Sequence, residues 1–125
     1  MAVTGSIVVT TSEDGPLAKY SCAWTSAAGG TVTECPVTLM AGQIVQVIMT
    51  PGTVTPSDDY DVTLLGASGE TDLLGGGGVD CSNSLTKHVG ADCANLPVWI
   101  PAGIYWPTVA AGGATKTGTI DIYMI

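Results

Sequence analysis

The sequence predicts an all-β chain, a single β-sandwich or jelly-roll-like domain of about eight short antiparallel strands covering residues 1–125. Three observations point there. The chain is rich in Thr, Val and Gly, with Ile and Ser beside them, which suit strands and turns, and is poor in the Glu, Lys and Arg that build helical faces. Several strand-length runs alternate in hydropathy with a period of two. Clusters of Gly, Pro, Asp and Ser punctuate those runs at short spacing.

The elements follow in order. Ser6 to Thr11 reads as a first strand, closed by the polar turn Ser12-Glu13-Asp14-Gly15-Pro16. Leu17 to Thr25 is a second, with Ala18, Tyr20, Cys22 and Trp24 on its core side. Thr31 to Val37 is expected to return as its hairpin partner across Ala27-Ala28-Gly29-Gly30. Gln43 to Thr50 is almost continuously apolar, the pattern of a central strand covered on both faces or of an intersubunit contact. Tyr60 to Leu65 alternates, with Tyr60, Val62 and Leu64 on one face, and Glu70 to Leu74 follows the turn Gly66 to Gly69.

The run Gly75 to Gly78 is expected to be a mobile loop or a place where another backbone approaches too closely for side chains. Phosphate cradling is disfavoured, because no Lys-Ser/Thr pair and no helix follow it. Leu96 to Ile100 and Gly103 to Val109 are broken by Pro97, Pro101 and Pro107, which predicts edge strands or a surface arm. A last strand runs from Thr117 to Ile125, with Ile120, Ile122 and Met124 alternating against Thr119, Asp121 and Tyr123.

Charge excludes whole classes of partner. A chain with three lysines, no arginine and a formal charge of −8 cannot neutralise many phosphates, so neither nucleic acid nor an anionic membrane surface is an expected partner. The apolar runs are also too short for a membrane helix, which needs about 20 residues. The segment Met1 to Ser6 has neither the basic nor the apolar region of a secretory signal.

The four cysteines, Cys22, Cys35, Cys81 and Cys93, form no CxxC pair, which argues against zinc, and no cofactor is expected. Cys22 and Cys35 flank the Ala27 to Gly30 turn, and Cys81 and Cys93 bracket a polar segment. Two local disulfides are the preferred reading, with reduced and buried thiols as the alternative. Each bridge would contribute about 3 kcal/mol in the chain-entropy model. Oxidised cysteines would fit an extracellular working life.

Catalytic constellations are weak. His88 stands among Ser82, Ser84, Thr86, Asp80 and Asp92 but without a nucleophile elbow, so a surface histidine is the better reading. Asp58, Asp59 and Asp61 suit a backbone-capping turn better than a calcium loop or a carboxylate pair. The remaining signal is apolar and aromatic. Trp99, Tyr105 and Trp106 cluster in a proline-rich segment that suits strand packing, a protein interface or a sugar platform. With Ile44, Val45, Val47 and Ile48 they are the candidate interface residues.

Taken together, Lys19-Tyr20 with Trp24-Thr25, Gly42 to Val47, the stretch Pro56-Ser57-Asp58-Asp59-Tyr60-Asp61-Val62-Thr63-Leu64-Leu65, Leu74, Ser82-Asn83-Ser84 and Gly118-Thr119 resemble small bacteriophage virion structural proteins. The resemblance implies a non-enzymatic capsid decoration or cement protein on the virion exterior. Its partners would be the major capsid protein and itself, as a homotrimer, after assembly in the host cytoplasm. A tail or head-tail accessory protein is the nearer alternative, and a carbohydrate-binding adhesin-type module the more distant one. The four cysteines and the Trp99 to Trp106 segment depart from that family pattern.

Overall fold

The computed structural model describes residues 4–66, 72–90 and 96–125 and contains only strands, turns and loops among them. Strands β1 (Ser6–Asp14) and β2 (Leu17–Thr25) form a hairpin in unbroken register from Ser6 opposite Thr25 to Asp14 opposite Leu17. The turn is therefore only Gly15-Pro16, with Gly15 at φ 60°, and β1 extends three residues beyond the expected Thr11. Ser12, Glu13 and Asp14 carry no apolar signal because that end of β1 is solvated on both faces, so ladder pairing alone makes it a strand.

β2 next pairs with the final strand, β9 (Thr117–Met124), which in turn pairs with β4 (Gly42–Pro51). The short strands β6 (Lys87–Val89) and β7 (Val98–Ile100) both lie along the far side of β4. These strands make a six-stranded antiparallel sheet. A second, three-stranded sheet has the order β3 (Val37–Leu39), β8 (Gly103–Ala110), β5 (Asp61–Leu65). Both sheets contribute to one core. Tyr20, Cys22, Trp24, Ile44, Val47, Met49, Ile120 and Ile122 come from the first, and Val37, Leu39, Val62, Leu64, Tyr105 and Val109 from the second.

The expected hairpin of Thr31 to Val37 on β2 does not form. Ser26 turns away to bond Lys116, and the chain crosses to the other sheet, where Val32 bridges Val109 and Thr33 bridges Thr4. β2 already has β1 and β9 on its two sides and offers no free ladder. The apolar run in β4 also has a specific cause. Val45 is an extra residue between Ile44, opposite Met124, and Gln46, opposite Tyr123, and this bulge resets the alternation. Ile44 points inward before it, and Val47 and Met49 point inward after it.

β8 is not an edge strand or an arm but the middle strand of the small sheet. β5 lies along its second half, and β3 pairs with Gly103 to Tyr105. Val109 exchanges backbone bonds with Val32, so Tyr105, Pro107 and Val109 aim their backbone groups away from β5. Pro107 therefore lacks its N–H where residues 33–36 have left the ladder between Val32 and Val37, and no sheet bond is lost.

The Gly75 to Gly78 segment is an ordered turn around one carboxylate. Asp72 Oδ1 accepts from the backbone N–H groups of Leu64 (3.1 Å) and Leu74 (3.0 Å), and Oδ2 accepts from that of Gly76 (3.0 Å). At Gly78 the close backbone approach is realised, since a Cβ there would lie 2.2 Å from the Val62 carbonyl oxygen. Removing the carboxylate strands several N–H groups at once. Asp72→Ala should cost about 2–4 kcal/mol in urea denaturation, with Asp72→Asn in between. A wild-type midpoint for Asp72→Ala would show that the turn holds itself. Of the expected strand Glu70 to Leu74, residues 70 and 71 lie outside the described residues, and Asp72 makes a single bridge to Leu65.

Candidate functional site

The candidate interface residues divide between core and surface. Ile44 and Val47 are fully buried, and Tyr105 is 2% exposed with its hydroxyl donating to the Pro101 carbonyl at 2.7 Å. These three are core residues and are withdrawn as contacts for a partner. Their strands alternate, and they occupy the inward phase. Val45, Ile48 and Trp106 are half-buried, and Trp99 is 73% exposed.

Register places the accessible ones on two separate faces. On the outer face of the six-stranded sheet Trp99 stands opposite Gln43, and Ile48 lies between His88 and Asp121. Tyr123 is on this face too, opposite Gln46, with the Lys19 ammonium 5.7 Å from its ring centroid. Trp106 lies on the outer face of the small sheet, opposite Leu65, two residues from Ile104, which is 47% exposed. The three aromatics of the proline-rich segment thus fall on one outer face, in the core and on the other outer face. They do not assemble one planar platform for a sugar ring.

The polar candidates are bound into the fold. Gln46 Nε2 and His88 Nδ1 are 3.3 Å apart. The Ser82 hydroxyl accepts from the N–H groups of Ser84 and Leu85, each at 3.1 Å. Asp58 accepts from Asn83 N–H (3.1 Å) and Asp61 from Asp80 N–H (2.9 Å), while Tyr60 and Cys81 form the bridge between these two segments. The acidic run is a turn stitched to residues 80–83, and no cluster of three metal-ligating side chains occurs among the described residues.

Cys22, Cys35 and Cys81 are buried free thiols. The expected Cys22–Cys35 bridge is overturned by the missing hairpin: Cys22 faces the core from β2, whereas the Cys35 thiol lies against the start of β1, 3.8 Å from the carbonyl oxygens of Thr4 and Gly5. The Cys81 thiol donates to the Gly78 carbonyl at 3.2 Å, and its expected partner Cys93 lies outside the described residues. Burial pushes the Cys22 thiol up to about 12, with the nearby Asp121 charge adding to it. Burial likewise raises Cys81 to about 11, and it raises Cys35 against a contrary pull from the Ile7 N–H. None is primed as a thiolate nucleophile.

One surface feature has no side-chain signal in the sequence. β1 is the outermost strand of its sheet, and Val8 and Val9 are exposed on its two faces. Beside it, Thr11, Glu13, Ala18, Tyr20 and Met40 line an open groove of about 400 Å³. The chain matches no protein-family model, no curated protein and no solved structure.

Proposed function

We propose that the chain is a non-enzymatic bacteriophage virion structural protein, a capsid decoration or cement protein that binds the outer lattice of the major capsid protein and stabilises it. The observation that carries this reading is the pair of outer sheet faces, one presenting Trp99 and Ile48 and the other Ile104 and Trp106, on a chain of net charge −8 without arginine. Aromatic-bearing faces with few charged side chains bury at low desolvation cost against a protein lattice. The negative charge keeps the same subunit off the packaged genome.

Quantitative mass spectrometry of purified particles, with electron microscopy for position, tests it. Hundreds of copies on the head exterior are expected. Trp99→Ser should lower occupancy while leaving the purified protein folded. Absence from particles sinks the reading, and a few copies at the tail would transfer the chain to the tail or head-tail accessory class. If it cements, heads lacking it should rupture at lower temperature.

A further inference from the structure

We infer that the free edge of β1 is a self-association site that joins two copies of this chain through an antiparallel β1–β1 pair around a two-fold axis at Thr11. The hydrogen-bond phase of the sheet fixes which backbone groups are available. Ser26 N–H bonds the Lys116 carbonyl on the β9 side, and Thr117 exchanges bonds with Gly52 and Val54 on the opposite side. Backbone groups alternate in direction along an antiparallel strand, so Ala18, Tyr20, Cys22 and Trp24 aim theirs at β9, and Leu17, Lys19, Ser21, Ala23 and Thr25 at β1. Their partners Asp14, Ser12, Thr10, Val8 and Ser6 are thereby used. The amides and carbonyls of Ile7, Val9, Thr11 and Glu13 face outward.

At Ile7 that edge is covered, because the Cys35 thiol lies against the chain just before it, 3.8 Å from the Thr4 and Gly5 carbonyl oxygens. Val9, Thr11 and Glu13 remain, without backbone partners among the described residues. Of the devices that normally blunt an edge β1 has only the acidic pair Glu13-Asp14 at its turn end: it contains no lysine and no proline, and its ladder with β2 has no bulge. The other outer strands offer far less, since β3, β6 and β7 are three residues each and the outer side of β5 is taken up by Asp72 and Gly78.

A second copy of β1 fits this edge in one register. With Thr11 opposite Thr11 across a two-fold axis, Val9 meets Glu13 of the other copy and Glu13 meets Val9. Every free amide and carbonyl is then satisfied, and the Ile7 position covered by Cys35 is not needed. A parallel pairing would set Glu13 and Asp14 beside their own copies. The antiparallel one places the two Glu13 side chains about 14 Å apart along the ribbon and seats each acidic tip against Val8 and Val9. Because the patch is self-complementary, the pair closes instead of propagating. The inference is independent of the capsid reading, and it replaces the three-fold assembly implied by resemblance with a two-fold one.

Sedimentation equilibrium of the full chain up to roughly 100 µM should show a monomer–dimer equilibrium that tightens with added salt as the like net charges are screened. Thr11→Pro removes an N–H that has no partner among the described residues, so it should weaken the dimer at least about tenfold while leaving the monomer's melting temperature in place. Should that variant misfold, Thr11→Lys, which sets two ammonium groups across the axis, is expected to give the same loss. Thr11→Cys should form an intermolecular disulfide at twice the 12.6 kDa chain mass under mild oxidation, whereas Ser6→Cys should not. A monomer throughout, a trimer, or a dimer unaffected by both Thr11→Pro and Thr11→Lys would overturn the inference.

Discussion

Replacing Gly118 with alanine should cost about 3 kcal/mol and lower the melting temperature by roughly 10 °C. Gly118 on β9 faces Trp24 on β2. A Cβ on it would lie 2.5 Å from Trp24 Cζ2, 2.6 Å from Cε2 and 2.8 Å from Nε1. The obstacle is a rigid indole, 1% exposed, whose ring also packs against Tyr60 with centroids 5.7 Å apart, so no flexible end can swing aside. Trp24 Nε1 has no hydrogen-bond partner among the described residues, so packing alone holds the ring in place. Moving it would open the core on one side while overfilling it on the other. Gly90→Ala is the control, since a Cβ there meets only the Gln46 side chain, at 3.8 Å, and its effect should stay below about 1 kcal/mol. Trp24→Leu should partly rescue Gly118→Ala, with a coupling above about 1 kcal/mol in a double-mutant cycle. Urea denaturation of Gly118→Ala with a wild-type midpoint would show that the two strands have room to separate.

Local alternation makes some elements legible and leaves others hidden. β2, β5 and β9 are read correctly because bulky residues occur at every second position, Tyr20, Cys22 and Trp24 or Ile120, Ile122 and Met124, and the sheet buries that phase. The crossover at residues 26–36 is hidden because a turn signal followed by a β-rich run looks the same whether the chain returns to its neighbour or passes to another sheet. Only the distant partners Thr4, Val109 and Lys116 decide that. Pro107 misleads for a related reason, since a proline is compatible with an inner strand wherever the next ladder has a gap.

The candidate site is legible only in part for a physical reason as well. Ile44, Val47, Tyr105 and Trp99 are all apolar or aromatic, and residue type does not distinguish a side chain that fills its own core from one that waits for a partner. The phase of each strand does, and at β4 that phase is reset by a bulge at Val45 which the sequence does not announce. The β1 edge goes further, because its resource is backbone N–H and C=O groups that every sequence possesses. Only the topology reveals that they are unused among the described residues.

Stability should fall steeply in alkali, from about pH 9 upward, with cooperative structure lost near about pH 11. The cause is a set of buried groups that cannot ionise in place. Cys22 is raised from 9.0 to about 12 and Cys81 from 9.0 to about 11, in each case chiefly by burial. Tyr60, likewise buried and facing the Cys81 charge, is raised from 10.0 to about 12. Below about pH 8 all three are almost fully protonated in both states and contribute little pH dependence. Above it the unfolded chain releases protons that the folded chain retains, so each group costs about 1.4 kcal/mol per pH unit beyond its unfolded value. By about pH 11 the two thiols and the phenol together remove on the order of 5–7 kcal/mol, comparable to the entire stability of a typical small domain. Urea melts at intervals between about pH 8 and 11 should show this slope, and Cys22→Ala should flatten it by about a third to a half even while its lost packing lowers the starting value. Tyrosinate absorbance separates cause from coincidence, because the Tyr60 fraction should appear together with unfolding and not before it. A melting temperature unchanged up to pH 11 would mean that the core admits water to Cys22 and Cys81.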